Sequence, residues 1–257
     1  MSDLHWKSAI TKVEPNKLTV RGYRLEELIG RVSYGSMVYL LFKGELPDEN
    51  RAKMLEAILV SSVDHGTTPP SVLSAITVAS TGAPLNAAVA AGILSISKFH
   101  GGAIEDCMRV LIDTLKIAGV KNITQKEAVK EQIDNYKKTG KRIAGFGHRI
   151  HNNDPRSKRL FDLAAELGIA GEYMDLAQAF VEEFKAMGKN LPLNVDGAIA
   201  ALLCEMDFDP MLANAFFMMA RMPGLVAHVY EEKTRYKPMR KIHPTDVEYD
   251  GVEERTL

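Results

Sequence analysis

Three short segments set titratable side chains beside glycine in otherwise apolar surroundings: Phe99-His100-Gly101-Gly102-Ala103-Ile104-Glu105, Gly145-Phe146-Gly147-His148-Arg149 and Asn194-Val195-Asp196-Gly197. An imidazole with an ordinary pKa near ~6.5 can give or take a proton at neutral pH, and a carboxylate can act as base toward a carbon acid. His100, His148 and Asp196 together make a workable acid-base set. Gly101, Gly102, Gly145 and Gly147 lack a Cβ and so permit a ligand to approach the backbone closely. Each segment also has a bland reading. A histidine beside glycine is commonly a satisfied structural or capping residue, and Asp196 can simply cap a helix running through Ala198 to Leu202. The combination points to catalysis where the single segments do not.

The histidines and cysteines show no close ligand pair at helical or knuckle spacing, so no metal site is expected. A Walker glycine-lysine run is absent too, so ATP chemistry is not expected of these residues.

The elements that must position these residues read as helices. Ile10 to Val13 and Lys17 to Val20 are short β-prone stretches around Glu14-Pro15-Asn16, a small hairpin or extended entry segment. Beyond them, Asp48 can cap a helix whose Met54, Leu55, Ile58 and Leu59 share one face. Ser71 to Ile96 carries no charge, so its helices must be buried on most sides, against a second copy of the chain or in a deep monomeric core. Lys121 to Arg142, with Glu127, Glu131 and Asp134, reads as a solvated helix. Asp154-Pro155 looks like an N-cap with proline at the first helical position, and Leu160, Leu163 and Leu167 form a stripe ending at Gly168. Tyr173, Leu176, Phe180 and Phe184 form another, up to Gly188. Asp209-Pro210 opens an apolar helix that Pro223-Gly224 is expected to kink or break.

Composition bounds the class. The chain has 257 residues, 46% of them hydrophobic, enough to bury a large core in one big domain or two modest ones. Its 32 Lys and Arg against 33 Asp and Glu give no general field for nucleic acid or an anionic membrane. No run approaches the roughly 18 apolar residues of a membrane span, and Met1 to Lys12 lacks a signal-peptide core. Cys107 and Cys204 sit far apart in apolar stretches, as free thiols do in a reducing compartment, so the expected location is cytoplasmic.

With those residues in view, the chain resembles the citrate synthase superfamily. His-Gly-Gly-Ala-x-Glu at 100 to 105, Gly-Phe-Gly-His-Arg at 145 to 149 followed by Asp-Pro-Arg at 154 to 156, and Asn-Val-Asp at 194 to 196 look like its three catalytic segments, in the same order. Arg21-Gly22-Tyr23, Gly44-Glu45-Leu46-Pro47 and Ala220-Arg221 with Gly224 extend the likeness along nearly the whole chain. The resemblance implies an all-α, citrate synthase-like fold: a large helical domain, 1–105 with 207–257, and a smaller inserted helical domain, 106–206, in a homodimer or higher homo-oligomer. It implies that Asp196 exchanges a proton with the methyl carbon of acetyl-CoA, that His100 stabilises the enol oxygen, and that His148 handles the proton on the oxaloacetate oxygen.

The resemblance further assigns substrate carboxylates or carbonyls to His65, Arg149, Arg221 and Arg240, the last reaching a partner subunit with Lys237 as its competitor. Coenzyme A falls to Gly101, Gly102, Gly145, Gly147 and Arg156. No permanently bound cofactor is implied, since the CoA thioester is substrate. Citrate synthases usually run longer and follow Asn-Val-Asp with Phe-Tyr-Ser. Here Gly197-Ala198-Ile199-Ala200-Ala201-Leu202 resembles instead the citryl-CoA lyase module of ATP citrate lyase, as do Asp64-His65-Gly66 and His243-Pro244 with Asp246 and Tyr249. Cleavage of citryl-CoA to acetyl-CoA and oxaloacetate is therefore the expected reaction, with a separate citryl-CoA synthetase as a possible partner. Citrate synthesis is the alternative, and a non-catalytic CoA-binding relative is a third reading.

Overall fold

The computed structural model describes residues 6–147 and 154–241. Its β-prone N-terminal stretches pair as a hairpin. β1 (Thr11–Glu14) and β2 (Lys17–Val20) run antiparallel with Glu14 opposite Lys17, and Asn16 adopts the left-handed conformation (φ 59°) that the two-residue reversal requires. A two-residue strand, β3 (Tyr23–Arg24), completes the sheet.

The other described elements are helical. α1 (Leu25–Leu28) is a single turn; α2 (Tyr34–Lys43) and α3 (Glu49–Ser61) come next. α3 is capped by Asp48, whose carboxylate accepts from Arg51 N at 2.8 Å, and the residues it buries are Met54, Leu55, Ile58 and Leu59, the face its periodicity predicts. α4 (Pro70–Ser80) and α5 (Leu85–Leu94) precede the long α6 (Ala103–Lys121). α7 (Gln125–Lys138) is the lysine-rich helix. It carries a full capping box between Thr124 and Glu127 and buries only one face, Ala128, Val129, Gln132 and Ile133. α8 (Pro155–Glu166) starts at Asp154-Pro155, and α9 (Glu172–Ala186) buries Leu176, Phe180 and Phe184. α10 (Val195–Glu205), a 3-10 turn (Pro210–Leu212) and α11 (Ala213–Arg235) complete the described elements. The all-α class holds.

Of the kink or break expected at Pro223-Gly224, the break does not occur, because α11 runs without interruption from Ala213 to Arg235 with Pro223 inside it. A proline ring removes one backbone donor and crowds the preceding turn. Here burial of Leu225 and Val229 beyond it, and of Ala220 and Arg221 before it, offsets that local cost.

The chain divides into two compact units, residues 1–65 with 96–224 and residues 66–95 with 225–257. This division by packing is a separate matter from the large and small domains expected above, which concern motion. In the first unit α10 is the innermost helix. Val195 and every residue from Gly197 to Cys204 are buried, which is why its sequence is Ala, Ile, Leu, Gly and Cys with a single charge at either end. It packs on α6, which turns Ile104, Cys107, Met108 and Leu111 inward, and α8 and α9 close the other sides. Each such aliphatic side chain contributes about 1.5–3 kcal/mol on full burial.

In the second unit α4 and α5 pack along each other with Leu225 and Val229. Gly92 comes so near that a Cβ there would lie 2.9 Å from Leu225 and from the Ser71 carbonyl. Contrary to burial on most sides, α5 buries only Ala88 and Gly92, and Leu85 is exposed. Among the described residues no helix is long and apolar enough to cross a membrane.

Candidate active site

Asp196 stands in the first turn of α10, and the residue that caps that helix is Asn194. The Asn194 side-chain oxygen accepts from Gly197 N at 3.1 Å while its amide nitrogen donates to the Gly147 carbonyl at 2.8 Å. The capping reading of Asp196 is therefore overturned, and its carboxylate is left for other work. A helix N-terminus favours a carboxylate there, but burial dominates and raises the Asp196 pKa. Opposing that rise are the charges of Arg156, Arg221 and His65, whereas Asp154 adds to it.

The second and third segments are laced together. Asn194 N donates to the Gly145 carbonyl at 3.1 Å, Gly147 N donates to the Pro192 carbonyl at 2.7 Å, and Phe146 bridges to Leu193. Phe146 is anchored in turn against Phe180 and Phe184, each ring 5.4 Å away. Gly145 and Gly147 both hold positive φ (87° and 82°). The space a side chain would take at Gly145 is filled by protein, with Cys107 Sγ 2.5 Å and Gly197 Cα 2.8 Å from a Cβ placed there. A Cβ on Gly197 would collide with the Gly145 carbonyl oxygen. Similarly, Gly101 faces Phe217 and Ile96, and Gly102 faces the backbone of Ser97 and Lys98. These glycines let protein segments approach one another, which explains their type without any ligand. His148 and Arg149 lie outside the described residues.

His100 follows a two-residue reversal. Ser97 N donates to the His100 carbonyl at 2.8 Å and His100 N to the Ser97 carbonyl at 2.9 Å, placing the half-buried imidazole edge-on to Phe217 at 5.6 Å. Burial first, and the charge of Arg221 second, lower its pKa, so a neutral imidazole is favoured. The same Phe217 ring carries the Arg221 guanidinium on its face at 4.9 Å. Arg221 is buried and its Nε donates to the Ser62 carbonyl at 3.0 Å. Burial lowers its pKa, Asp64 opposes that, Arg156 adds to it and Asp196 opposes it. Arg221 thus acts electrostatically on both His100 and Asp196.

Arg156 is placed differently from an exposed phosphate ligand. Its guanidinium grips Asp154 through two hydrogen bonds, Nε to Oδ1 at 3.0 Å and Nη2 to Oδ2 at 2.9 Å, and Asp154 is buried. The Asp154 carboxylate also caps α8 through Arg156 N at 3.0 Å. Burial works to raise its pKa, but the hydrogen bonds and charge of Arg156 prevail and hold it below the ordinary range.

His65, Asp196, Arg156, Arg221 and His100 all lie in the first unit. Arg240 lies in the second, where it forms a paired contact with buried Glu232 (2.6 to 2.9 Å) and stacks on Tyr236 at 4.3 Å, while Lys237 is exposed. Phe217 escaped the sequence reading, which took Asp154 only as a helix cap and Asp64 only as part of a motif, without their charges on Arg156 and Arg221. Phe217 stands one helical turn before Arg221, the spacing at which two side chains of a helix meet, and that spacing is the signal that could have found it. At the far end of α10, Glu205 accepts from Tyr173 N and Met174 N, each at 2.9 Å, and so caps α9. Two surface grooves, of about 330 and 360 Å3, are lined by Asp113, Lys116 and Lys121 and by Arg31, Lys53 and Glu56, away from these residues.

Comparison with known proteins agrees with this arrangement. The family model described as citrate synthase, C-terminal domain, matches residues 47–245. The solved structure of citryl-CoA lyase from Hydrogenobacter thermophilus is 46% identical with a TM-score of 0.88, covering 98% of this chain and 97% of its own. ATP citrate lyase from Methanothrix soehngenii, solved in complex with citrate and coenzyme A, is 25% identical with a TM-score of 0.83, over 99% of this chain and 43% of its own. Citrate synthase of Haloferax volcanii is 33% identical over 232 residues, 86% of this chain, which spans 58% of that relative's length. A helical scaffold that brings these three segments into one order and one neighbourhood, matched along most of its length, means that the chain belongs to the citrate synthase family.

Proposed function

We propose that this chain is a citryl-CoA lyase, cleaving citryl-CoA to acetyl-CoA and oxaloacetate through an enol intermediate. The observation that carries the reading is Asp196: a carboxyl not spent on capping its helix, with its pKa raised by burial, among Arg156, Arg221 and His65. Carbon protonation in the cleavage direction requires a carboxyl that holds its proton, and burial supplies that bias. In this reading His148 accepts the hydroxyl proton of the citryl group and the carbon-carbon bond breaks to leave the oxaloacetate carbonyl. His100, favoured as neutral imidazole, donates to the enol oxygen, and Asp196 delivers a proton to the methylene carbon. Arg221, with Arg149 and His65, receives the carboxylates. Arg156, fixed by Asp154 beside Asp196, joins that group rather than binding the CoA phosphates.

Support for the lyase direction comes from the citryl-CoA lyase of Hydrogenobacter thermophilus, similar over nearly its full length. The CoA thioester is substrate, held by the backbone around Gly101, Gly102, Gly145 and Gly147. Closure of 106–206 on the remainder would exclude water from the enol. The exposed face of α5 is the proposed contact in a homodimer, and Arg240's engagement with Glu232 favours Lys237 as the cation that reaches a partner. Cys204, its pKa pushed up to about 12 by burial, suits a reducing cytoplasm. Citryl-CoA would be supplied by a separate synthetase. The test is to assay purified protein with citryl-CoA and, separately, with acetyl-CoA plus oxaloacetate. Rapid cleavage in the first is expected; efficient citrate release in the second with poor cleavage in the first would establish a synthase.

A further inference from the structure

Two buried polar atoms beside the site have no hydrogen-bond partner among the described residues, Ser62 Oγ and Arg221 Nη1. Their residues are already joined, since Arg221 Nε donates to the Ser62 carbonyl at 3.0 Å. Ser62 is the C-cap residue of α3 and only 1% exposed, and Arg221 is 2% exposed, so bulk water does not solvate either group. Leaving such a group unpaired costs about 1–3 kcal/mol, more when it is charged. A fold tolerates two of them together where a ligand completes the set.

The chemistry of the missing partner is dictated by the groups themselves. Nη1 can only donate and a serine hydroxyl can donate, so a single oxygen with free lone pairs satisfies both. The segment that carries Ser62 is held against α11 by close approach: at Gly224, one turn after Arg221, a Cβ would strike the Val63 carbonyl and lie 3.1 Å from Asp64 Oδ1. That contact holds the residues that follow Ser62 against the turn of α11 that follows Arg221. Arg156, the other guanidinium acting on Asp196, is occupied by Asp154. The Nη1 edge of Arg221 is thereby left as the under-satisfied cationic donor, and an anionic oxygen meets it better than a neutral one.

We propose that Ser62 is a substrate-binding residue whose hydroxyl, together with Arg221 Nη1, receives one carboxylate of the oxaloacetate portion of the substrate. This rests on the lyase reading above only in taking oxaloacetate as a ligand, which the synthase reading shares. The test is calorimetric titration of oxaloacetate into the full chain as wild type, Ser62→Ala and Ser62→Thr, with citryl-CoA kinetics and melting temperatures measured alongside. Ser62→Ala is expected to weaken oxaloacetate binding by about 10- to 100-fold, the loss of one hydrogen bond to a charged group. Its KM for citryl-CoA should rise while kcat falls less than twofold, and Ser62→Thr should restore most of the affinity. Unchanged oxaloacetate affinity in Ser62→Ala, with or without a fall in melting temperature, overturns the proposal. If Ser62→Ala binds weakly but a folded Ser62→Thr binds equally weakly, the proposal also falls. Wild-type protein that binds no oxaloacetate and turns over neither substrate set sinks the functional reading itself, an outcome distinct from a wild type that binds and a Ser62→Ala that matches it.

Discussion

Gly197→Ala separates ordinary helix behaviour from the architecture of this site. Alanine in place of glycine within a helix normally stabilises by about 0.5–1 kcal/mol. At Gly197 the added methyl would strike the Gly145 carbonyl oxygen and sit 2.6 Å from Leu193 Cδ1. Restoring van der Waals separation needs a shift of about 1 Å, and overpacking of this kind costs about 1–3 kcal/mol. The gain from helix propensity offsets part of that, so a net loss of about 1–2 kcal/mol is expected. At about 2–4 °C per kcal/mol for a chain of this size, the melting temperature should fall by about 2–8 °C. The shift would also loosen the bonds from Asn194 to Gly145 and Gly147, directly beside Asp196. Displacement of a reacting group by about 1 Å costs on the order of 100-fold in rate. Cleavage of citryl-CoA, followed by coupled reduction of the released oxaloacetate, should fall by that factor. Gly119→Ala is the control, because a Cβ at that position of α6 meets nothing within 4 Å, and it should be neutral to stabilising. A Gly197→Ala protein that melts above wild type with full kcat/KM would refute the close-contact argument.

The geometry sets three further outcomes. Asp196→Asn should lower cleavage by about 10³-fold with the helical circular dichroism unchanged, and activity within tenfold of wild type would remove Asp196 from the mechanism. The fold raises the Asp196 pKa, so this group's contribution to stability is present in acid and lost as pH rises through the raised value. The stability of Asp196→Asn relative to wild type should therefore increase with pH in urea unfolding. Asp154→Asn should destabilise by about 3 kcal/mol, the low end for breaking a buried pair because Arg156 keeps partial exposure. Asp154 is held low, so its contribution is present at neutral pH and lost as pH falls through the lowered value. A loss under 0.5 kcal/mol at neutral pH would show that the pair is not integral. If copies of the chain meet through α5 as proposed, Leu85→Glu on its exposed face should turn a wild-type dimer into monomers by light scattering; a monomeric wild type or an unchanged mass would overturn that contact.

Local signals are legible where neighbouring residues decide the outcome. Asp48, Asp154-Pro155 and the buried face of α3 read correctly because a cap and a hydrophobic stripe are settled within one or two turns. Pro223 misleads because α11 continues on the strength of packing that no short window contains. Asp196 reads equally well as a cap, because sequence does not show that Asn194 reaches the Gly197 amide first. Burial is the recurring omission. It makes Arg156 a partner of Asp154, it turns the motif glycines toward Cys107, Phe217 and one another, and it raises Asp196 while lowering His100.

The cap that Glu205 provides to α9 has a consequence for how this chain can vary. α10 is fastened by Asn194 at one end and by Glu205 at the other, so Asp196 sits on a rod that cannot slide along its own axis. Nine residues at 1.5 Å each separate the backbone positions of Asp196 and Glu205 by about 13.5 Å along the helix axis. Gly171, where any side chain would press into the Glu205 carboxylate, is thus tied to the position of the proposed reacting group, with which it shares no chemistry. A substitution there would be expected to behave as an active-site lesion while lying on the far side of the helix core.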